Sequence, residues 1–139
     1  MDKRTVVFFK NTCRRCFNDI EIPLLGDFAY GEFIFQTADG QDFLVAQFIN
    51  NKTEQEVGQI LSDKTFDLYK IMSQLADKKD NKEFSTVYPI CPKCKKTLSY
   101  YTDNTRTIEK EADYVTWTGF QSKDKDKKRE IVLGLLNKD

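Results

Sequence analysis

Four cysteines are the residues of this chain whose type and spacing most clearly carry chemistry. They form two Cys-x-x-Cys pairs, Cys13 with Cys16 and Cys91 with Cys94, and the 74 residues of segment 17–90 lie between the pairs. Two intervening residues let one tight turn aim both sulfur atoms at a single point, and two such turns complete a tetrahedron around Zn²⁺. The spacing therefore predicts one structural zinc ion per chain, held by all four thiolates.

Other chemistries of paired cysteines fit this sequence less well. Disulfides require an oxidising compartment. We expect no export signal in this sequence, which argues against such a compartment. A redox dithiol belongs at a helix N-terminus, where the dipole lowers the pKa of the thiol, whereas Cys94 is followed at 95–101 by a segment rich in β-formers. Iron can occupy the same tetrathiolate, so the spacing alone leaves zinc against iron open.

The first residues bear on the compartment. The apolar run at 5–9 meets Lys10 and is shorter than the ~7–15 residues of an export signal's apolar region. No apolar run approaches the ~20 residues that a membrane span requires. We therefore expect a first β-strand here, in a cytoplasmic protein that does not enter the membrane.

The segments around the two cysteine pairs, residues 8–16 and 88–96, resemble the knuckles of the zinc-ribbon group. In that group two knuckles, each at the tip of a β-hairpin, share one metal ion, and the fold serves nucleic-acid or protein contacts. The resemblance covers about a quarter of the chain and implies the four ligands but no function. The chain departs from the group at Phe17 and Lys95, where glycine often follows the second cysteine, and in the length of the insertion between the knuckles.

Local patterns predict the elements that position the knuckles. Residues 31–36 and 42–49 flank an Asp-Gly dipeptide, a strong signal of a β-hairpin. Thr53 and Glu56 form a plausible capping box, and apolar residues behind it continue at helical spacing as far as Lys79.

The remainder of the chain completes an α+β prediction. Residues 114–118 are strand-like, and the charged run that begins at Lys123 predicts a last helix ending near Leu136. No internal repeat or long linker divides the chain, so a single domain over residues 1–139 is expected. Its predicted parts are knuckles at 5–16 and 88–101, an inserted α+β segment with a β-hairpin and a helical segment at 17–87, and a C-terminal strand and helix at 102–139.

Catalysis is not expected. The chain contains no histidine, which removes the commonest general base and metal ligand. Four cysteines saturate a zinc ion and leave no open coordination position, and the sequence has no Gly-rich phosphate loop or nucleophile elbow. Glu109 and Glu111 are expected to line a solvated strand face. The sequence therefore predicts a protein that is not an enzyme.

The net charge of zero conceals a segregation of charge along the chain. Residues 1–16 carry a net charge of +4, residues 17–90 carry −7 and residues 91–139 carry +3, and these values sum to zero. Segment 17–51 contains no Lys or Arg, although six acids and seven aromatic residues fall within it. A solvated face normally mixes both signs, so this segment is a candidate interaction surface.

Carboxylates interleaved with aromatic rings suit docking against a basic protein, because charge steers the encounter and buried rings anchor it. We expect Phe33, Phe35, Leu44 and Phe48 to be core residues and the loop at 20–30 to supply exposed anchors. The profile of a small acidic-faced protein is similar to that of bacterial immunity proteins, which neutralise toxins that are often basic nucleases. The candidate partner-binding residues are Asp19, Glu21, Asp27, Phe28, Tyr30, Glu32, Asp39 and Asp42.

The alternative partner is nucleic acid. Cations around the knuckles could neutralise a phosphate backbone. A zinc ion with four thiolates carries −2, however, so nearby cations also compensate the metal site, and a dedicated nucleic-acid binder shows a clearer basic excess. The sequence does not fix the oligomeric state. The cations concerned are Lys10, Arg14, Arg15, Lys93, Lys95 and Lys96.

Overall fold

The computed structural model of the protein describes residues 3–25, 30–98 and 100–137, and only the backbone at 100–107. The described chain combines strands and helices, which confirms the predicted α+β class. Its strands are β1 (Arg4–Cys13), β2 (Asp19–Leu24), β3 (Glu32–Gln36), β4 (Phe43–Gln47) and β5 (Tyr100–Ala112). Its helices are α1 (Lys52–Ile60), α2 (Leu68–Leu75), α3 (Thr118–Gln121) and α4 (Lys125–Leu136).

β1 is the central strand of a three-stranded antiparallel sheet with the order β2-β1-β5. Its valine, phenylalanine and threonine residues favour an extended chain, and Val6 is fully buried. The last residue of β1, Cys13, pairs with Tyr100, the first residue of β5. This register places the first cysteine pair near the start of β5, the strand that follows the second cysteine pair in the sequence.

β3 and β4 form the predicted hairpin, and its turn lies against the second knuckle. Gly40 has a φ of +72°, a conformation that favours glycine, and a Cβ there would lie 3.0 Å from the Cα of Pro92. The side chain of Gln41 donates a hydrogen bond to the carbonyl of Pro92 at 2.7 Å. The turn therefore needs glycine for its backbone angle and for its close approach to the knuckle.

The main core lies where α1, α2 and α4 cover the hairpin, and we call it the helical core. Phe35 is fully buried in it and contacts the rings of Tyr69, Phe84 and Trp117 at centroid separations of 5.0 to 6.2 Å. The indole N–H of Trp117 donates to the carbonyl of Met72. The buried residues of the helical core are Phe35, Ala46, Phe48, Val57, Leu61, Ile71, Met72, Leu75, Phe84, Val115, Trp117, Phe120 and Val132.

The predicted capping box of α1 is wrong. The N-cap is Asn51, whose side chain accepts a hydrogen bond from the backbone N–H of Glu54 at 3.1 Å. Thr53 is buried inside the helix and accepts from the Gln121 amide, while Glu56 binds Lys128 on α4. Tertiary polar contacts between α1 and the C-terminal segment therefore account for the two residues that resembled a cap.

Two further boundaries differ from the prediction. α2 ends at Leu75 rather than Lys79, because Ala76 is already extended and the backbone of Asp77 pairs with Thr116. The predicted strand at 114–118 is reduced to a parallel bridge between Val45 and Tyr114. α4, with Asp124 as its N-cap, confirms the predicted last helix.

A small cluster of Val6, Ile34, Val45 and Ala112 packs between the two sheets. Beside it, Arg4 of β1 donates to the Glu32 carboxylate of β3 at 2.8 Å. These contacts hold the inserted hairpin against the sheet that carries the first knuckle. No helix among the described residues is long and apolar enough to span a membrane.

Candidate metal centre

The four cysteine sulfur atoms converge, and all lie within 4.8 Å of one another. The Sγ atoms of Cys13 and Cys94 are 3.9 Å apart, and those of Cys16 and Cys91 are 3.8 Å apart. A tetrahedral ion with metal–sulfur bonds of ~2.3 Å has ligand–ligand edges of ~3.8 Å. Both distances are far longer than the ~2.05 Å of a disulfide. The cluster therefore has the size of a tetrathiolate metal site, and the four predicted ligands come together.

The two knuckles share one hydrogen-bond pattern. In the first, the N–H of Phe17 donates to the carbonyl of Cys13 at 2.7 Å, and the N–H of Cys13 donates to the carbonyl of Asn18. In the second, the N–H of Lys95 donates to the carbonyl of Cys91 at 2.8 Å, and the N–H of Cys91 donates to the carbonyl five residues ahead. The equivalence explains why two segments far apart in sequence present their sulfur atoms in the same way.

The equivalence extends to the backbone after each second cysteine. Phe17 has a φ of 60° and Lys95 a φ of 64°, both in the left-handed region that favours glycine. Both positions where this chain departs from the zinc-ribbon sequence pattern therefore adopt a backbone conformation that glycine favours. Each knuckle adopts it with a side chain that the backbone conformation disfavours.

Burial divides the ligands into two kinds. Cys13 and Cys91 are fully buried, whereas Cys16 and Cys94 are half-buried. Burial raises the pKa of Cys91 to about 11, while hydrogen bonds from the backbone and side chain of Asn18 lower the pKa of Cys16 to about 6. A metal ion must displace the proton of the buried thiol, so metal binding is expected to release protons and to weaken at low pH.

A small apolar group surrounds the sulfur atoms. The buried residues Cys13, Ile20, Ile22, Cys91 and Leu98 pack together, and we call this group the knuckle cluster. Ile20 and Ile22 lie on β2, so the predicted loop at 20–30 is wrong over its first part. Their alternation with exposed acids is a strand pattern that could have been recognised in the sequence.

Gln36 supports the second knuckle from the inserted hairpin. Its buried side chain accepts a hydrogen bond from the N–H of Ile90 at 2.6 Å and donates to the carbonyl of the same residue at 3.2 Å. Across the metal site, the Nε of Arg15 donates to the carbonyl of Thr97. A glutamine at the end of an apolar strand carries no sequence signal for this role, and sequence reasoning missed it.

Three of the predicted partner-binding acids line neighbouring surfaces. Asp19 and Glu21 are exposed on β2, and Asp42 follows the hairpin turn. Glu21 and Asp42 both line a cleft of about 400 Å³ between the hairpin and the three-stranded sheet. Asp19 and Glu21 line a shallower depression beside it, which Gln41 also borders.

The lining of the cleft combines apolar and charged residues, and we call the apolar part its floor and the charged part its rim. The rings of Phe8 and Phe43 meet edge to face on the floor, with centroids 5.4 Å apart, and Pro23 and Leu44 complete it. The charged lining residues are four carboxylates and two ammonium groups, and two of the carboxylates form ion pairs with lysines outside the lining, Asp42 with Lys82 and Asp113 with Lys3. Sequence reasoning missed two of these carboxylates because they follow the second knuckle. The rim residues are Glu21, Asp42, Glu111, Asp113, Lys79 and Lys110.

The remaining predicted partner-binding residues do not join the cleft rim. Glu32 is nearly buried and binds Arg4 and the hydroxyl of Tyr114. Asp39 faces Lys82, and hydrogen bonds from the Gln41 backbone and Thr37, together with Lys82, hold its pKa at about 2. Tyr30 is 74% exposed at the start of the hairpin. Asp27 and Phe28 lie outside the described residues.

Comparison of the chain with protein-family models, curated proteins and solved structures finds no match in any of the three.

Proposed function

We propose that this chain is a non-catalytic, zinc-stabilised module that binds a basic protein partner in its acidic cleft. The observation that carries the proposal is a cleft in which carboxylates from two separate segments, Glu21 of β2 and Asp42 of the hairpin, lie beside the rings of Phe8 and Phe43.

Zinc is the metal that the ligand set favours. Four thiolates are soft ligands, which select zinc or iron over magnesium, calcium and manganese. A site with four protein ligands is closed to water and substrate, so the ion serves folding rather than catalysis. The absence of histidine from the whole sequence supports the same interpretation. The role assigned to the metal is to hold β2 and the second knuckle where they border the cleft.

The cleft suits a partner that combines a basic patch with an anchor side chain. Carboxylates on the rim accelerate encounter with a basic surface, and an apolar floor rewards a side chain inserted between them. Lys82 lies between Asp39 and Asp42, at 3.1 and 2.9 Å, so one ammonium group faces two carboxylates and the hairpin turn keeps an excess of negative charge. The ammonium of Lys110 already lies 5.2 Å above the ring of Phe8, an example of a cation placed on this floor.

The sharpest form of the proposal is an inhibitor that neutralises a toxin, in the manner of an immunity protein. A basic enzyme that acts on nucleic acid must expose cations to its substrate, and an acidic cleft would cover them. The carboxylates of Glu21 and Asp42 in the cleft and the acid-rich segment before α1 support this class of partner.

The test compares two double charge reversals. Tagged protein would be used to recover its partner from its own cells, and association rates would then be measured over a series of salt concentrations. Glu21→Lys with Asp42→Lys is expected to slow association by about tenfold or more and to flatten its salt dependence. Asp63→Lys with Glu130→Lys reverses the same number of exposed charges away from the cleft and is expected to change little. Equal association rates and salt slopes in the two variants would contradict the proposal.

A further inference from the structure

Phe17 is the least expected side chain at the knuckles. It is 78% exposed, so packing does not account for a phenylalanine here. Its φ of 60° lies in the left-handed region, where a bulky side chain is disfavoured and glycine is not. Neither the core nor the turn explains the residue. Strained positions of this kind cluster at binding sites, so the ring is a candidate contact for a ligand.

Phe17 belongs to a pair of segments that are rich in basic residues. The two knuckle segments, residues 13–18 and 91–97, contain five basic residues and no acid. A divalent ion with four thiolates carries −2, so the five cations exceed the charge of the metal site by three. The ammonium groups of Lys93, Lys95 and Lys96 make no ion pair with any residue that the structure describes. Compensation of the metal accounts for only part of this charge.

The two loops present these groups together. Their sulfur atoms belong to one cluster, and Arg15 of the first knuckle donates a hydrogen bond to the carbonyl of Thr97 beyond the second. An exposed aromatic face beside a continuous group of cations is the arrangement that proteins use for single strands, whose bases stack on rings while cations track the phosphates. A duplex offers no free base face to Phe17, because its bases are already stacked on one another.

We propose that the two knuckles form a binding site for single-stranded nucleic acid, in which Phe17 stacks on a base and the knuckle cations hold the adjacent phosphates. None of its residues lines the acidic cleft, although Lys93 borders the shallower depression beside it. The nucleic-acid site can therefore be tested independently of the protein-binding proposal. Its residues are Arg14, Arg15, Phe17, Lys93, Lys95 and Lys96.

The test uses the zinc-loaded full chain and labelled oligonucleotides of about 12 residues, a length within the range of single-strand sites. Fluorescence anisotropy would compare oligo-uridine, oligo-thymidine and a duplex of the same length at about 0.15 M salt. Both single strands are expected to bind more tightly than the duplex. Tighter binding of oligo-uridine would assign the site to RNA, and tighter binding of oligo-thymidine would assign it to DNA.

Phe17→Gly separates binding from folding, because glycine suits the left-handed backbone while the ring is removed. Removal of a stacking ring is expected to weaken single-strand binding by about tenfold or more. Phe17→Trp should retain binding, and Tyr30→Ala, which removes an equally exposed ring elsewhere, should leave it unchanged.

The cations have a separate readout. Lys93→Ala with Lys96→Ala should reduce the slope of log affinity against log salt by about 0.7 for each phosphate that is no longer neutralised. Unchanged affinity in Phe17→Gly would overturn the proposal, as would duplex binding as tight as single-strand binding. A poly-glutamate peptide of similar charge that binds as well as the oligonucleotides would also overturn it, because the knuckles would then recognise an acidic protein.

Discussion

The knuckle cluster and the helical core are both buried, but they differ in how much apolar packing they contain. The helical core contains thirteen buried residues around Phe35, with aromatic rings in mutual contact. The knuckle cluster contains five, of which two are cysteines, so only Ile20, Ile22 and Leu98 contribute aliphatic side chains. Burial of each such side chain contributes about 1.5–3 kcal/mol. Three such residues are too few to form an independently stable core.

The difference indicates that the knuckles depend on the predicted metal site and that the helical region depends on packing. Two loops held by metal–sulfur bonds need little apolar area, because metal binding itself supplies free energy of folding. The hairpin and its three covering helices have no such bond and rely on close packing. The two regions are therefore expected to respond to different perturbations.

The largest effect is expected from loss of the metal site. Protein purified without chelator should carry one zinc per chain, and Cys13→Ser or Cys91→Ser should cost several kcal/mol of stability. Hydrogen exchange should rise first in β1 and β2, while the helical far-UV signal persists longer. Metal-free protein that melts like the zinc-loaded form would remove the proposed division between the regions.

Truncation of a buried side chain in the helical core should give the next largest effect. Phe35→Ala removes a fully buried ring and is expected to cost about 3–5 kcal/mol in urea denaturation. Phe33→Ala in the same strand, where the ring is 39% exposed, should cost clearly less. Metal analysis of the folded Phe35→Ala protein should still find one zinc per chain. Loss of zinc with intact helices would show that the two regions are not separable in this way.

Substitution of Asp77 should destabilise the helical region by a smaller amount, and the size of the effect should depend on pH. Its carboxylate accepts hydrogen bonds from the backbone N–H groups of Thr118 and Gly119 and from the hydroxyl of Thr116. Burial alone would raise the pKa of Asp77, but these hydrogen bonds outweigh it and hold the pKa below its usual value. Asp77→Ala is expected to cost about 1 kcal/mol near neutral pH, as for the removal of other helix caps.

The pH dependence follows from the lowered pKa. A carboxyl group with a depressed folded-state pKa contributes its stability above the unfolded value of about 3.9 and loses it as pH falls through the folded value. Wild-type protein should therefore lose stability below about pH 4 more steeply than Asp77→Ala does. Asp63→Ala is the control, since Asp63 is exposed and does not have a positive φ. Parallel acid-unfolding curves for wild type and Asp77→Ala would contradict the assignment.

The smallest effect concerns the knuckle backbone and has the opposite direction. Lys95→Gly relieves the left-handed conformation at a φ of 64° and is expected to stabilise the protein by up to about 1 kcal/mol, after allowance for the greater freedom of glycine in the unfolded chain. Lys96→Gly, at the neighbouring position without a positive φ, should not stabilise it. Thermal melts of both variants with zinc bound would compare them. A destabilising Lys95→Gly would mean that its side chain contributes interactions that outweigh the strain.

The sequence predicted the metal ligands, because two residues between cysteines constrain the sulfur positions almost regardless of what lies elsewhere. It also predicted the hairpin, because an Asp-Gly dipeptide is a local turn signal. The positive φ of Gly40 fits that turn. Both predictions depend on short stretches of chain. Tertiary contacts had little part in deciding them.

The failures came where tertiary contacts override local patterns. Thr53 and Glu56 have the spacing of a capping box, but Gln121 and Lys128 bind them from the far end of the chain. The cleft could not be predicted because Phe8, Pro23 and Lys110 meet on one sheet face only through the pairing of β1 with both β2 and β5. No local pattern in the sequence joins these three strands.

The position of the two cysteine pairs also constrains the order of events during synthesis. The first pair emerges from the ribosome early, yet complete coordination must wait for Cys94, when about two thirds of the 139 residues have been made. Closing a loop of this length costs roughly 4 kcal/mol of chain entropy. The hairpin lies within this loop and can form beforehand, which shortens the loop that remains to be closed. The helical core is completed later, because Val115, Trp117 and Val132 follow Cys94 in the sequence.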